Sequence, residues 1–444
     1  MRRLAIALVL PLLLATVAGC LSDGPSSKSS GSVSTPATGS GNDPWPAIQA
    51  MMKGVPCDAA VGSGQSPNLV QLANVSYDAA VGIHGELDIR GHIALHARYD
   101  AGGFEIIDIA DPLHPKDLGA YDYNGEDAGD SLDVKFSPDN ATAIFGTGAG
   151  LRMVDIRDPT NPVAVGQWNF TEVTIPTDPA PRVSQNAHML YTANIAGQDW
   201  VFLAPNSNTG VWMLKLTGTP DARHLEFVTQ TLPVEGGPLG PHDIFVNKDP
   251  LDGHWYLYSA DGFQGWAVFN VDDPSNPSYA GGIPNPAEGE YLHSIQSALV
   301  NGKRYVATIG EIGANILKVY DATILQAPVL LAVYQASPGP GSGAPEHNFN
   351  IVAGKLYLSY YTLGMYVFDL SKLSGLPVVS TAQLQPIAHW GDNPEGATSP
   401  AGFTGIWDTV LKDGLLYLSN IEGGLYIVGY GCNAVPDPSL TSTG

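Results

Sequence analysis

Basic residues are scarce in this sequence, since 20 Lys and Arg stand against 43 Asp and Glu and the formal net charge is −23 at pH 7. A strongly acidic chain repels phosphate backbones and anionic lipid surfaces. We therefore expect no nucleic acid among its partners and no direct attraction to an anionic membrane surface.

Short catalytic signatures are also lacking. The sequence contains no Gly-x-Ser-x-Gly turn, Walker loop, dinucleotide-binding glycine fingerprint or His-Glu-x-x-His helix, which mark hydrolases, nucleotide-binding proteins and zinc proteases. The sequence therefore gives no support for these common enzyme classes. Whether the chain is an enzyme of another class stays open.

Cysteine occurs only three times, and the first copy ends a signal-like segment. Arg2 and Arg3 precede an apolar run from Leu4 to Val17, a pattern typical of a secretion signal. The small residues before Cys20 resemble a lipobox, which implies cleavage and lipid attachment at this cysteine. The alternative is an ordinary signal peptide with an incidental cysteine.

We accordingly predict a lipoprotein signal peptide over residues 1–20 and a flexible Ser/Gly/Thr/Pro tether and lead-in over 21–56. The protein is then expected to be extracytoplasmic and to touch the membrane only through its lipid anchor. The two remaining cysteines, Cys57 and Cys432, are predicted to form a disulfide, because exported proteins meet an oxidising compartment. Two free thiols are the alternative.

Seven copies of one short pattern organise the rest of the chain. The clearest runs from Gly103 to Ile109 as Gly-Phe-Glu-Ile-Ile-Asp-Ile and is followed by Asp-Pro-Leu-His-Pro. β-Branched and aromatic residues favour a buried strand, whereas Pro has no N–H for the ladder and Asp can accept bonds from turn amides. Each copy is therefore predicted to be a strand followed by a tight turn. The other copies start at Gly150, Gly210, Gly265, Leu317, Gly364 and Gly424.

This pattern resembles the LVIVD repeat, a blade unit of β-propeller lipoproteins, over roughly residues 68–430. The resemblance implies an all-β fold, a seven-bladed β-propeller, which we place at residues 57–432, with 433–444 as a disordered tail. It also implies a binding scaffold and says little about activity.

The seventh repeat, from Trp407 to Tyr430, has only three predicted strands. The segment Pro67–Ala73, which precedes the first repeat, resembles the outer strand that the seventh repeat lacks. We therefore expect the N-terminal strand to complete the last blade. Cys57 and Cys432 are then expected to lie beside this junction.

One repeated position at the start of the innermost strands carries histidine in five blades. Innermost strands line the central channel of a propeller, so we expect these side chains to converge near its axis, where neutral imidazoles can share one metal ion. Histidine favours transition metals, of which we predict Cu or Zn, and Asp243, Glu290 and Glu346 are candidates to orient the rings. The candidate ligands are His84, Asp130, His188, His242, His293 and His347, and Trp407 takes this position in the last blade.

Two alternatives stay open for these histidines. Duplication can also copy an imidazole that bonds to the backbone of the neighbouring blade, with no metal involved. The stretch Gly240-Pro241-His242-Asp243 is similar to selenium-binding protein propellers, which implies a copper-dependent thiol oxidase, although the paired-Cys signature is missing here.

Long loops at residues 171–185, 337–346 and 385–402 are further candidates for a binding surface, because insertions on one propeller face commonly bind ligands. Solvated connections are the alternative. Taken together, the sequence predicts a lipid-anchored binding module at the cell surface, with an unidentified extracellular protein, glycan or small ligand as its partner. A metal-dependent oxidoreductase is the alternative function.

Overall fold

Seven sheets arranged in a ring form the described part of the chain in this computed structural model. The structure describes residues 43–59, 61, 65–77, 83–99, 101–125, 132–173, 186–205, 209–231, 240–284, 290–312, 316–335, 347–374, 382–391 and 404–433. Each sheet is one blade, and the innermost strands of neighbouring blades pack side by side around a closed circuit. The predicted seven-bladed β-propeller is confirmed.

The described chain starts with helix α1 (Trp45–Met52) and strand β1 (Leu69–Val75). From the channel outward, the first three blades are β2 (His84–Arg90), β3 (Ile93–Arg98), β4 (Gly103–Asp108), β5 (Lys116–Asp122); β6 (Val134–Phe136), β7 (Thr142–Thr147), β8 (Gly150–Asp155), β9 (Val163–Asn169); and β10 (Met189–Ile195), β11 (Gln198–Ala204), β12 (Trp212–Thr219), β13 (Ala222–Gln230).

The fourth and fifth blades are β14 (Asp243–Lys248), β15 (Trp255–Ala260), β16 (Gly265–Asn270), β17 (Ser278–Pro284); and β18 (Tyr291–Val300), β19 (Lys303–Ile312), β20 (Leu317–Asp321), β21 (Val329–Tyr334), with β25 (Ala382–Gln383) added in parallel at the outer edge. The sixth is β22 (Phe349–Val352), β23 (Lys355–Ser359), β24 (Met365–Asp369), β26 (Pro386–Trp390), and the seventh is β27 (Ile406–Lys412), β28 (Leu415–Asn420), β29 (Gly424–Tyr430), β1.

The repeated Asp-Pro turns end the third strand of a blade as their chemistry predicts. The Asp108 carboxylate accepts a bond from the Ala110 N–H at 2.9 Å, and Asp111 accepts one from the Leu113 N–H at 3.0 Å. Asp155 caps the second copy in the same way, with the Arg157 N–H at 3.0 Å. These bonds satisfy turn amides that the proline-interrupted ladder cannot pair.

The glycine that opens the third strand is fixed by backbone contact. Gly103 has φ +86°, and a Cβ there would lie 1.9 Å from the Tyr121 carbonyl oxygen of the fourth strand. Gly424 repeats this geometry, since a Cβ would lie 2.1 Å from the Val75 carbonyl oxygen. Only glycine therefore lets the third and fourth strands approach so closely.

The ring is closed by pairing the N-terminal strand with the C-terminal one. β1 runs antiparallel to β29, with Leu69 opposite Tyr430 and Val75 opposite Leu425. The predicted Cys57–Cys432 disulfide is present beside this junction and links positions 375 residues apart. Both expectations about the junction are confirmed.

Part of the predicted lead-in is helical. Pro46 is the second residue of α1 and fits the first helical turn, where a missing N–H costs nothing. Ile48 of this helix is fully buried against Val75 and Ile427 of the seventh blade. The signal segment with Cys20, residues 21–42 and residues 434–444 lie outside the described residues. Within the described residues, no helix is both long and apolar enough to span a bilayer.

Candidate metal centre in the axial channel

A cavity of about 160 Å³ lies where the innermost strands converge, and four of the predicted histidines line it. His188 and His242 directly precede β10 and β14, His293 is the third residue of β18, and His347 lies two residues before β22. The rest of the wall consists of Glu86, Tyr99, Leu132, Met189, Glu311, Tyr361 and Trp407.

The imidazoles form a continuous arc around the cavity. The ring centroids of His188 and His242 are 4.2 Å apart, those of His242 and His293 are 4.3 Å apart, and those of His293 and His347 are 4.2 Å apart. The arc ends on Trp407, whose ring lies 4.3 Å from that of His347. The repeated position therefore does bring four histidines together.

One ring nitrogen of His347 faces the next blade, as the structural interpretation predicts. His347 Nδ1 lies 2.9 Å from the Trp407 carbonyl oxygen. The Nδ1 atoms of His242 and His293 make no hydrogen bond to any described residue. A ring held through Nδ1 leaves Nε2 available, which is how most histidine metal ligands are oriented. The structural and metal-binding roles are thus compatible.

All four histidines are neutral at physiological pH. Burial lowers the pKa of His242 to about 4 and that of His347 to about 3. Burial and the neighbouring imidazoles hold the pKa of His188 and of His293 well below the usual value. Neutral imidazole is the form that offers a lone pair to a metal ion.

Glu311, which the sequence pattern did not indicate, completes a candidate ligand set. Its Oε2 atom lies 3.9 Å from His293 Nε2, and one ligand atom each from His242, His293 and Glu311 lie within 4.8 Å of one another. Burial raises the pKa of Glu311 to about 7, an effect that a hydrogen bond from Tyr361 opposes. A bound cation favours the ionised carboxylate and therefore lowers that pKa.

A strand irregularity aims Glu311 at the cavity. β18 and β19 pair Tyr291 with Ile312 and Leu292 with Gly310, so Glu311 is an extra residue on the bulged strand. A β-bulge redirects a side chain that regular alternation would send elsewhere. No local sequence signal marks this bulge.

His84 lies apart from the other four histidines. Its ring packs on Tyr77 and His96, with centroids 4.4 Å and 4.8 Å away, and its Nε2 atom is 3.9 Å from Glu105. The register of β2 shifts between His84 and Leu87, and Glu86 lines the cavity instead. The expectation that His84 joins the arc is corrected accordingly, because the bulge moves the channel-facing position along the strand.

The other candidates have different positions. Asp130 and Glu346 lie outside the described residues. The Glu290 carboxylate pairs with the Lys318 ammonium. Asp243 faces an adjoining cavity of the channel and does not line the histidine cavity.

Little of the predicted loop surface is described. Residues 174–185, 337–346 and 392–402 of those loops lie outside the described residues. The described part of the last loop includes His389, which is buried, with Nε2 2.7 Å from the Leu363 carbonyl oxygen and its ring stacked on Tyr366. His389 therefore packs inside the sixth blade.

No known family model matches the sequence, and no curated protein matches it either. Among solved structures, a putative 6-phosphogluconolactonase from Bacteroides uniformis is similar, with 13% identity, a TM-score of 0.51 and coverage of 68% of this chain and 84% of that one. A protein from Lactobacillus plantarum is similar at 13% identity and a TM-score of 0.50, over 69% of this chain and 85% of that one. The Cps50 (Swd1) β-propeller domain of Myceliophteria thermophila has 10% identity and a TM-score of 0.45, with coverages of 78% and 98%. At these identities the similarity concerns the fold.

Proposed function

We propose that this protein is an exported, lipid-anchored β-propeller that acts as a binding module at the cell surface and holds a divalent transition metal in its channel. The observation that carries the metal assignment is the convergence of His242, His293 and Glu311 ligand atoms within 4.8 Å of one another. Two imidazole nitrogens and one carboxylate oxygen suit zinc or copper.

The surroundings of these three ligands support the same assignment. His188 Nε2 lies 3.0 Å from His242 Nε2, so a third imidazole, the fourth ligand, is within reach of an ion bound by His242. The Tyr361 hydroxyl donates to Glu311 Oε1 at 3.5 Å and holds the carboxylate in place. Such outer contacts orient metal ligands and raise affinity.

Export is supported by two independent features. The apolar segment before Cys20 has the composition of a lipoprotein signal. The Cys57–Cys432 disulfide suits an oxidising compartment. The repeated strand-and-turn pattern resembles the LVIVD repeat, which implies a binding scaffold.

A metal-dependent oxidoreductase is the second candidate, and the shape of the site favours it. The cavity of about 160 Å³ beside the three ligands leaves room for a small molecule next to the ion. A redox metal such as copper supplies electron transfer when bound. In thiol oxidation, two thiols lose two electrons and two protons to form a disulfide, and dioxygen becomes hydrogen peroxide.

Metal analysis of the full-length protein tests the proposal. We expect about one zinc or copper ion per chain after loading and dialysis, and its loss in the His242→Ala, His293→Ala variant. His114→Ala is the matched control, because this side chain is exposed on a turn. A metal content that is the same in both variants would refute the site.

Oxygen uptake with a small thiol then separates the two functions. The oxidoreductase requires thiol-dependent uptake by the copper-loaded protein that the double variant lacks. A binding module holds the metal and consumes no oxygen.

A further inference from the structure

A second polar cavity, of about 80 Å³, adjoins the histidine cavity in the channel. Glu86 lines both cavities, and its Oε1 atom accepts a hydrogen bond from Trp407 Nε1 at 2.9 Å. The second cavity is also lined by Asp243, Asp408 and Asn348, and each of these four residues is at least nine-tenths buried. A buried polar cavity of this size has room for an ion with a few waters.

This cavity has more negative charge than its one ammonium group can balance. Lys135 also lines it, but its Nζ atom is 2.8 Å from Asp133 Oδ1 and forms an ion pair with that carboxylate. Among the described residues, no Lys, Arg or His nitrogen lies within ion-pair distance of Glu86, Asp243 or Asp408. Three buried carboxylates therefore lack a direct cationic partner.

Buried carboxylates without a cationic partner are costly unless a proton or a bound cation compensates their charge. Glu86 and Asp408 are close enough to share a hydrogen bond. Burial and the Asp408 charge raise the pKa of Glu86, and burial raises that of Asp243 to about 7. These raised pKa values show that the ionised carboxylates are unfavourable in this cavity. They are expected whether a proton or a cation compensates the charge.

The Asn348 side chain indicates that a cation, and not a proton, compensates these carboxylates. Its Nδ2 donates to Glu86 Oε1, which fixes the orientation of the amide. Its Oδ1 is then a buried acceptor with no hydrogen-bond partner among the described residues. A proton shared between Glu86 and Asp408 leaves this oxygen unsatisfied, whereas a cation beside Glu86 would use it.

We infer that the channel binds a hard cation of the Ca²⁺ class through Glu86, Asp408 and Asn348 Oδ1, with Asp243 facing the same cavity. Oxygen-only ligand sets select such ions, and Ca²⁺ accepts irregular geometry and completes its shell with water. The site differs in chemistry from the nitrogen-rich histidine site. A larger cavity of about 530 Å³ adjoins this one and shares Tyr191, Phe245 and Gln296 with it.

The test is calorimetric titration and thermal unfolding of the full-length protein with CaCl₂ after treatment with a chelator. We expect saturable Ca²⁺ binding in the millimolar range or tighter and a rise in Tm. Asp408→Asn should weaken the binding by at least about tenfold, because it removes a charged ligand with little change of shape. Asp221→Asn, at an exposed position, is the control and should bind like wild type.

A second variant keeps the inference testable if Asp408→Asn folds poorly. Asn348→Asp adds a negative ligand, so it should lower Tm in chelator and restore it in Ca²⁺, with affinity above wild type. If Ca²⁺ neither binds nor raises Tm in wild type or Asn348→Asp, protons compensate the carboxylates and the inference is overturned. The His242→Ala, His293→Ala variant should still bind Ca²⁺, which separates this site from the transition-metal site.

Discussion

The Nε2 atoms of His188 and His242 lie 3.0 Å apart, although the residues are 54 positions apart in the chain and belong to different blades. Two neutral imidazoles make this bond only when one ring carries its proton on Nε2 and the other on Nδ1. Burial, which lowers both pKa values, maintains that neutral pair. A bound ion would replace the proton between them.

The first prediction follows from the lowered pKa of His242, about 4 in the folded state. The unfolded ring titrates near 6.5, so below that pH the unfolded state binds a proton that the folded state does not. The contribution of His242 to stability is therefore present above pH 6.5 and is lost as the pH falls. Between pH 7 and pH 5 this residue alone should account for about 2 kcal/mol of lost unfolding free energy.

Urea unfolding in chelator at the two pH values measures this effect. His242→Gln should lose about 2 kcal/mol less than wild type over that interval. Glu311 has the opposite effect on stability, because its raised pKa of about 7 means that stability is lost as the pH rises. Both proteins contain Glu311, so its contribution cancels in the comparison. Equal losses in the two proteins would contradict the prediction.

The second prediction concerns Glu311 as a metal ligand. Glu311→Gln keeps the side-chain shape and removes the negative charge, so zinc affinity should fall by at least about tenfold. Competition with a zinc-binding dye measures the change in the full-length protein. The exposed Glu422→Gln is the matched control, and an equal affinity in all three proteins would remove Glu311 from the site.

The blade count was predictable from the sequence because it depends on local chemistry. The run from Gly103 to Pro115 contains a strand and its turn within a few residues, and its copies mark seven blades. The missing strand of the last blade also predicted the pairing of β1 with β29, since strand patterns can be compared without knowing the structure.

The details of the site depend on β-bulges, which the sequence alone does not predict. The register shift in β2 places Glu86 in the cavity where His84 was expected, and the bulge in β19 brings Glu311 to His293. A one-residue shift reverses the faces of a strand. Repeat alignment therefore found four histidines and missed the carboxylates beside them.

The third prediction compares two glycines of positive φ. Gly91, with φ +56°, has open space where a Cβ would lie, whereas a Cβ at Gly103 would collide with the Tyr121 carbonyl. Gly91→Ala should cost about 1 kcal/mol of unfolding free energy from backbone strain alone. Gly103→Ala should cost clearly more, because the fourth strand must move. Chemical unfolding compares the two, and a smaller loss at Gly103 would be inconsistent with the close strand approach.

The fourth prediction concerns the Cys57–Cys432 disulfide, which links positions 375 residues apart. Cys432→Ser should lower the unfolding free energy by about 2 to 5 kcal/mol, because the bond restricts the unfolded chain. The far-ultraviolet circular dichroism spectrum should not change, since β1 still pairs with β29. Wild type in a reducing agent is the control and should approach the variant. Unchanged stability would show that the bridge contributes nothing at the junction.

The fifth prediction concerns the lipid anchor proposed at Cys20, which lies outside the described residues. Cys20→Ala should move the protein from the membrane fraction to the soluble fraction, because a lipid is then missing from the mature N-terminus. Cys57→Ala is the matched control, since it removes a cysteine of the folded domain and should leave the protein with the membrane. Detergent partitioning of both variants beside wild type measures the difference. Retention of Cys20→Ala in the membrane fraction would exclude this cysteine as the anchor and leave an uncleaved signal segment as the attachment.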